Sequence, residues 1–386
     1  MKLKLEKLFF GSVIFQIIAS QGLLLFIIFN FFGNWEIKQF LHPLSFVFVV
    51  VVFILKAFRK FTISIFDIVF FAYFLFLFVF FLINVDSLQS AYVVFREVYF
   101  IFILSFIYHQ VEISQENWEK VLNLIFYLLI FNSIFILLTY YFGPEKYMKL
   151  ITGRYQWGVD PVYKFKMTNF GQFWRSPALI GDAASVGYFS FFAYFFMDQN
   201  SKFKKKKYLA LFPLFFSFIR SVYLVFIVYE FLKFFTQKKN LKILILVFKI
   251  GVPILLIAVL FLSRYEIFSA ASLLDRFHLW SNEIHVEYNL LYGGSIGNVG
   301  GGARDQGFIG TIDSYWLFML FSSGILGILL TLLFVFEKRK KGNKFTFILI
   351  AFFLAGFFVS LTQSIIFLIF FPFLFITIKE NLPDVK

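Results

Sequence analysis

The chain has 386 residues, of which 60% are hydrophobic and 15% charged, with a formal net charge of +14 and a mean hydropathy of +0.83. No water-soluble domain buries that much apolar side chain, so the composition excludes a soluble enzyme and predicts an all-α, polytopic integral membrane protein, a single membrane domain over 1–386. The absence of cysteine excludes disulfides, thiolate nucleophiles and cysteine-held metals, and the 66 phenylalanines read as coding bias, since lipid accepts leucine or valine equally well.

The N-terminal MKLKLEKLFFGSVIFQIIASQGLLLFIIFNFF starts as a signal peptide does. Its apolar part exceeds the usual length of about 7 to 15 residues and more spans follow, so it is read as an uncleaved first helix. A helix crosses a hydrocarbon core of roughly 30 Å with about 20 residues. Candidate spans then run over 8–32, 42–57, 62–84, 91–108, 121–142, 177–197, 208–219, 222–235, 243–263, 314–335, 345–361 and 363–378, about twelve in all. The short basic connections MKLKLEK, KAFRK, KFKKKK, QKKNLK and EKRKKGNK all fall on one side of this scheme, which the positive-inside rule makes cytoplasmic, together with both termini.

The same parity requires the chain between KFKKKK (202–207) and QKKNLK (237–242) to cross twice, leaving about 14 residues per crossing, or roughly 21 Å at 1.5 Å each. A short hairpin is expected, with Arg220 near its extracytoplasmic tip; a single kinked helix with a snorkelling arginine is the alternative. Two long extracytoplasmic loops remain, 143–176 and 264–313. The first carries Lys146, Lys149, Arg154, Lys164, Lys166 and Arg175 against Glu145 and Asp160, which suits either an anionic ligand or lipid phosphates.

In the second loop, His278 and His285, with Asp275 and Glu283 near, lack a close metal-ligand motif, so no metal is expected. The glycine-rich GGSIGNVGGGARDQG (293–307) has no Gly-Lys-Ser/Thr sequel and reads as a flexible loop. Inside the spans, Asp67, Arg96 and Glu97 should face the bundle interior. Arg96 and Glu97 are adjacent, so on a helix they point about 100° apart and should pair with other groups more readily than with each other.

FWRSPALIGDAASVGYFSFF (173–192), SFIRSVYLVF (217–226), RFHLW (276–280) and DSYWLFMLFSSGILGILL (313–330), in that order and sidedness, resemble bacterial O-antigen polymerases and O-antigen ligases over roughly 170–335. The polymerases' arginine followed ten residues later by glycine is approximated by Arg175 with Gly181 and Gly187. Ligases carry histidine where this chain has Asp313, which favours the polymerases. The resemblance implies a glycosyltransferase, free of metal and cofactor, that joins oligosaccharide units held on undecaprenyl pyrophosphate outside the bacterial inner membrane. Its implied partners are that lipid-linked substrate, membrane lipids and a chain-length regulator, and no nucleic acid.

That chemistry needs cations where the diphosphate departs, and arginine pairs with phosphate in a bidentate fork, which selects Arg175, Arg220 and Arg276. Proton acceptors for the attacking hydroxyl are sought in Asp313, Glu283 and His285. Asp313 comes first because it stands where the family places Asp or His, although it could equally cap the following helix. Asp182, next to the first arginine motif, is grouped with the substrate contacts and could likewise be a helix cap. In this reading Arg96 and Glu97 are internal glue or contacts to the lipid carrier. A ligase, and a flippase or transporter of the lipid-linked unit, are the competing readings.

Overall fold

In the computed structural model, which describes residues 2–22, 24, 27, 38–57, 62–83, 88–144, 146, 147, 150, 169, 170, 173–236, 278, 280, 288–294, 299, 312, 314–339 and 342–379, the apolar runs become helices and polar residues stop them. Helices α1 (Lys2–Ser20) and α2 (Lys38–Ala57) pack together, followed by α3 (Ile65–Ile83) and α4 (Leu88–His109). A short strand β1 (Glu112–Ser114) leads to α5 (Gln115–Phe142), and β2 (Asn169–Phe170) with β3 (Phe173–Trp174) makes a small antiparallel hairpin. Then come α6 (Ala183–Asp198), a 3-10 turn (Lys206–Ala210), α7 (Leu211–Phe216) and α8 (Arg220–Phe235). The C-terminal part holds α9 (Tyr315–Lys338), α10 (Asn343–Ala355), α11 (Ile365–Phe370) and β4 (Thr377–Lys379), which pairs in parallel with β1.

Helix α6 lies at the centre. Every residue from Ser185 to Asp198 is buried, as expected for a helix apolar on all sides, and α5, α7, α8 and α11 surround it. One contiguous set of buried apolar side chains reaches from Phe9 to Ile376. The outside is apolar too: Ile68, Leu75 and Phe76 of α3, Phe131 and Leu137 of α5, and Leu333 and Phe336 of α9 are exposed. An exterior of this kind fits a bilayer rather than water.

Four helices among the described residues, within Ile65–Ile83, Ala91–His109, Gln115–Phe142 and Tyr315–Lys338, are long and apolar enough to cross a membrane. That is fewer than the twelve expected from hydropathy. The segments Leu41–Leu55, Asn343–Ala355 and Ile365–Phe375 are apolar but shorter. The stretch expected to cross at 208–219 is a 3-10 turn running into the six-residue α7, and the one at 363–378 divides into α11, a 3-10 turn at Phe371–Phe375 and a strand. A six-residue helix rises only about 9 Å, well short of a bilayer. The candidate span 243–263 and most of the loops 143–176 and 264–313 lie outside the described residues.

The lysine ion pairs gather at one end of the bundle. Ser64 and Asp67 cap α3 reciprocally: the Ser64 backbone N–H donates to Asp67 Oδ2 at 3.0 Å and the Asp67 N–H donates to Ser64 Oγ at 3.1 Å. Lys338, at the last turn of α9, meets the same carboxylate at 2.7 Å, with both side chains almost fully buried. Asp198, the last residue of α6, is held by Lys207 at 2.6 Å, Lys233 at 2.8 Å and Lys344 at 3.6 Å. Lys202 reaches Glu119 at 2.8 Å, and Lys379 reaches Glu112 beside the β1–β4 pair. Lysines of KFKKKK and EKRKKGNK therefore fasten helix ends that are far apart in the chain.

Helix α9 is broken at its middle. Gly324 has φ 64° and ψ −173°, so the helical hydrogen bonds lapse there, and a tight turn from residues 288–294 fills the gap. The N–H groups of Ile325 and Leu326 donate to the carbonyls of Leu290 and Leu291, both at 3.0 Å, and Tyr73 of α3 donates its hydroxyl to the Ser323 carbonyl at 2.6 Å. Gly293, also at positive φ, backs directly onto residues 322–324, and a Cβ on either glycine would collide with the other segment's backbone. The turn closes on itself through Asn289 and Gly293, whose N–H groups each donate to the other's carbonyl at 2.7 Å, so its backbone is satisfied within the protein, as an apolar setting demands.

Candidate functional site

At the opposite end from the lysine-rich ties, α4, α6 and the α10–α11 connection part around a polar cavity of about 450 Å³. Helix α4 contributes Arg96 and Glu97, about two turns in from Leu88. The Arg96 guanidinium lies 3.7 Å from Glu97 Oε1, and Glu97 is only 3% exposed against 27% for Arg96. The two neighbours, expected to pair more readily with other groups, thus also attract each other. The separation is nevertheless too long for a hydrogen bond, so the pair is coulombic.

Asp182 enters the cavity from the start of α6. Its carboxylate accepts from the N–H of Ala184 at 3.3 Å and of Ser185 at 2.9 Å, so the residue is the helix cap that the sequence allowed for. Tyr188, one turn further along, points its hydroxyl at Ser221 at 3.4 Å, which ties the cavity wall to the first turn of α8. From the third side come Ser360, Gln363 and Ser364, and the last shares a 2.9 Å hydrogen bond with Ser185. Two donors inside this wall, Arg96 Nε and Gln363 Nε2, are buried and have no hydrogen-bond partner among the described residues.

Arg175 and Arg220 belong to the same end. Tyr140, near the end of α5, donates its hydroxyl to the Trp174 carbonyl at 2.7 Å, and Thr139 shares a 2.7 Å hydrogen bond with Ser176, so Arg175 sits between two anchored neighbours. The Tyr147 hydroxyl donates to the Ala178 carbonyl at 2.6 Å and holds the chain on its way to Asp182. The link between α7 and α8 turns sharply at Phe218, whose φ is 49°, and Phe215 packs back on Tyr223 and Phe226, so the two helices form a hairpin with Arg220 exposed at its bend. Phe173 stacks on Phe218 with ring centroids 5.5 Å apart, which brings β3 against the bend. Gly187 permits this arrangement, because a Cβ there would lie 2.8 Å from Val222 and 2.9 Å from Ser217.

Of the residues predicted from sequence, the structure therefore brings Arg175, Asp182 and Arg220 to one end of the bundle, and Asp182 into the cavity. Asp313, Glu283, His285 and Arg276 lie outside the described residues. Next to Asp313, Ser314 is the residue that caps α9, its Oγ accepting from the Leu317 N–H at 3.3 Å and donating to the Gly356 carbonyl at 3.3 Å, close to the Ser360 wall. Arg96 and Glu97 are expected in the interior as glue or as contacts to the lipid carrier, whereas Ser360, Gln363 and Ser364 are not singled out by the sequence reading. Their signal is the polar interruption SLTQS within an apolar run. Among the described residues no three His, Asp or Glu side chains gather as metal ligands would.

In chemical terms the cavity offers one guanidinium, two carboxylates, an amide and three hydroxyls inside an apolar bundle, with two further arginines near α8 and β3. The chain matches no family model, no curated protein and no solved structure.

Proposed function

We propose that the chain is a polysaccharide polymerase of the bacterial inner membrane, with both termini cytoplasmic, which transfers a growing glycan from undecaprenyl pyrophosphate to a lipid-linked repeat unit on the extracytoplasmic side. The observation that carries this reading is the polar cavity at the end of an apolar bundle opposite its lysine-rich end, with Arg175 and Arg220 at that same end. In this reading the lysine-rich end faces the cytoplasm under the positive-inside rule, which turns the cavity outward.

The reaction breaks the bond between the donor sugar's anomeric carbon and a pyrophosphate oxygen, which leaves with the electron pair. A hydroxyl oxygen of the acceptor sugar forms the new bond to that carbon, and its proton passes to a carboxylate or imidazole of the protein. Arginines set at headgroup depth receive the departing charge, because a guanidinium stays protonated and meets two phosphate oxygens at once. Arg175 and Arg220 fill that role, with Arg276 of the second outer loop; Asp313, Glu283 and His285 of the same loop supply the proton acceptor.

Removal of the gene tests the proposal. A polymerase deletion leaves single repeat units on the cell surface. A deletion that leaves no surface glycan marks a flippase, polymer accumulating on the lipid carrier marks a ligase, and unaltered glycan excludes all three.

A further inference from the structure

The arginines at the outward-turned end sit in different parts of it. Arg175 follows β3 and Arg220 opens α8. Arg96, in the cavity, shares it with two carboxylates, Glu97 and Asp182, so the described ionisable side chains of the cavity, all charged, sum to −1. A diphosphate placed there would meet more negative than positive charge among these groups. Yet the wall holds buried donors that ask for acceptors: Arg96 Nε and Gln363 Nε2 have no partner among the described residues. A buried donor without an acceptor is costly, so groups in that state mark a place for an oxygen-bearing ligand.

A ligand that accepts from Arg96 and Gln363, donates to Glu97 and Asp182, and carries no charge of its own is a polyol. We infer that the cavity between α4, α6 and the α10–α11 connection is a sugar subsite, taking one or two pyranose rings of the lipid-linked glycan, while the diphosphate stays outside it with Arg175 and Arg220. Arg96 and Gln363 are then specificity-determining residues that hydrogen-bond ring hydroxyls and are not phosphate ligands. The volume of about 450 Å³ suits this, since pockets for small organic ligands run from about 300 to 1,000 Å³. The inference deepens the polymerase reading and depends on it for the source of the sugar.

The test uses the full chain purified in detergent and two probes measured separately by thermal shift and calorimetry: inorganic pyrophosphate, and the neutral repeat-unit oligosaccharide released by mild acid from the host's lipid-linked precursor. Arg96→Gln and Gln363→Glu are compared with the parent, the second keeping size while losing the donor. Each variant is expected to weaken oligosaccharide binding about tenfold or more and to leave the pyrophosphate response unchanged. Pyrophosphate binding lost in Arg96→Gln with oligosaccharide binding intact would make the cavity the phosphate site and overturn the inference. Unchanged binding of both probes in the variants would overturn it as well. Where Arg96→Gln fails to fold, Gln363→Glu decides alone. Failure of the polymerase reading is separate, since it appears as an unaltered surface glycan in the deletion strain whatever the variants bind.

Discussion

Lys338 shows what a single charge does in this bundle. It is 4% exposed and closes on Asp67, 1% exposed, at 2.7 Å. Removing one member of a buried pair strands the other charge, which costs about 3–5 kcal/mol. Lys338→Met is therefore expected to lower unfolding stability in detergent by that order, and Asp67→Asn added to it should restore most of the loss, because asparagine still caps α3 through Ser64. Guanidinium denaturation of the purified variants measures both. At Arg220 the relevant property is shape: Arg220→Lys keeps the charge at the hairpin bend and gives up the fork. Shorter surface polymer at unchanged protein level is the expected result, and polymer of full length would remove Arg220 from the diphosphate site. Arg220 stands out in the sequence as a charge in an apolar run, while Arg175 and Asp182 are marked by the resemblance of FWRSPALIGDAASVGYFSFF. Ser360 and Gln363 are passed over, since the SLTQS stretch that holds them reads only as the break between the spans 345–361 and 363–378.

Hydropathy reports how apolar a segment is and says nothing about where its axis bends. The run at 208–235 was resolved into a hairpin only because the lysine clusters on either side fixed its parity. The run at 314–335 offered no such flag, and its break at Gly324 depends on a turn contributed by residues some thirty positions earlier. Two glycines hold that contact. In Gly324→Ala the new Cβ would stand 2.3 Å from the Leu291 carbonyl oxygen at a φ of 64°, and in Gly293→Ala it would stand 2.4 Å from the Ser323 nitrogen. Each is expected to destabilise by more than about 1 kcal/mol. Because both break one junction, the double variant should lose clearly less than the sum, a coupling that a double-mutant cycle of unfolding energies detects.

Across the molecule, ion pairs at one end and a cavity at the other give the bundle two unlike faces, and the lysine clusters made that asymmetry legible before any helix was placed. The native chain has no cysteine, so single reporters map it directly. Lys205→Cys and Arg220→Cys, both at exposed positions, are expected to react with a membrane-impermeant maleimide from opposite sides, Arg220→Cys in intact spheroplasts and Lys205→Cys only after lysis. The reverse pattern would turn the cavity toward the cytoplasm. What sequence could not supply was the packing order, because phenylalanine-rich segments look alike whether they meet lipid or protein. Helix α6 is the clearest case: sixteen residues, buried on every side from Ser185 onward, with Asp198 locked beneath it by three lysines. Its enclosure is completed by neighbours translated after it, so α7, α8 and α11 close the protein's middle only once they too have been made.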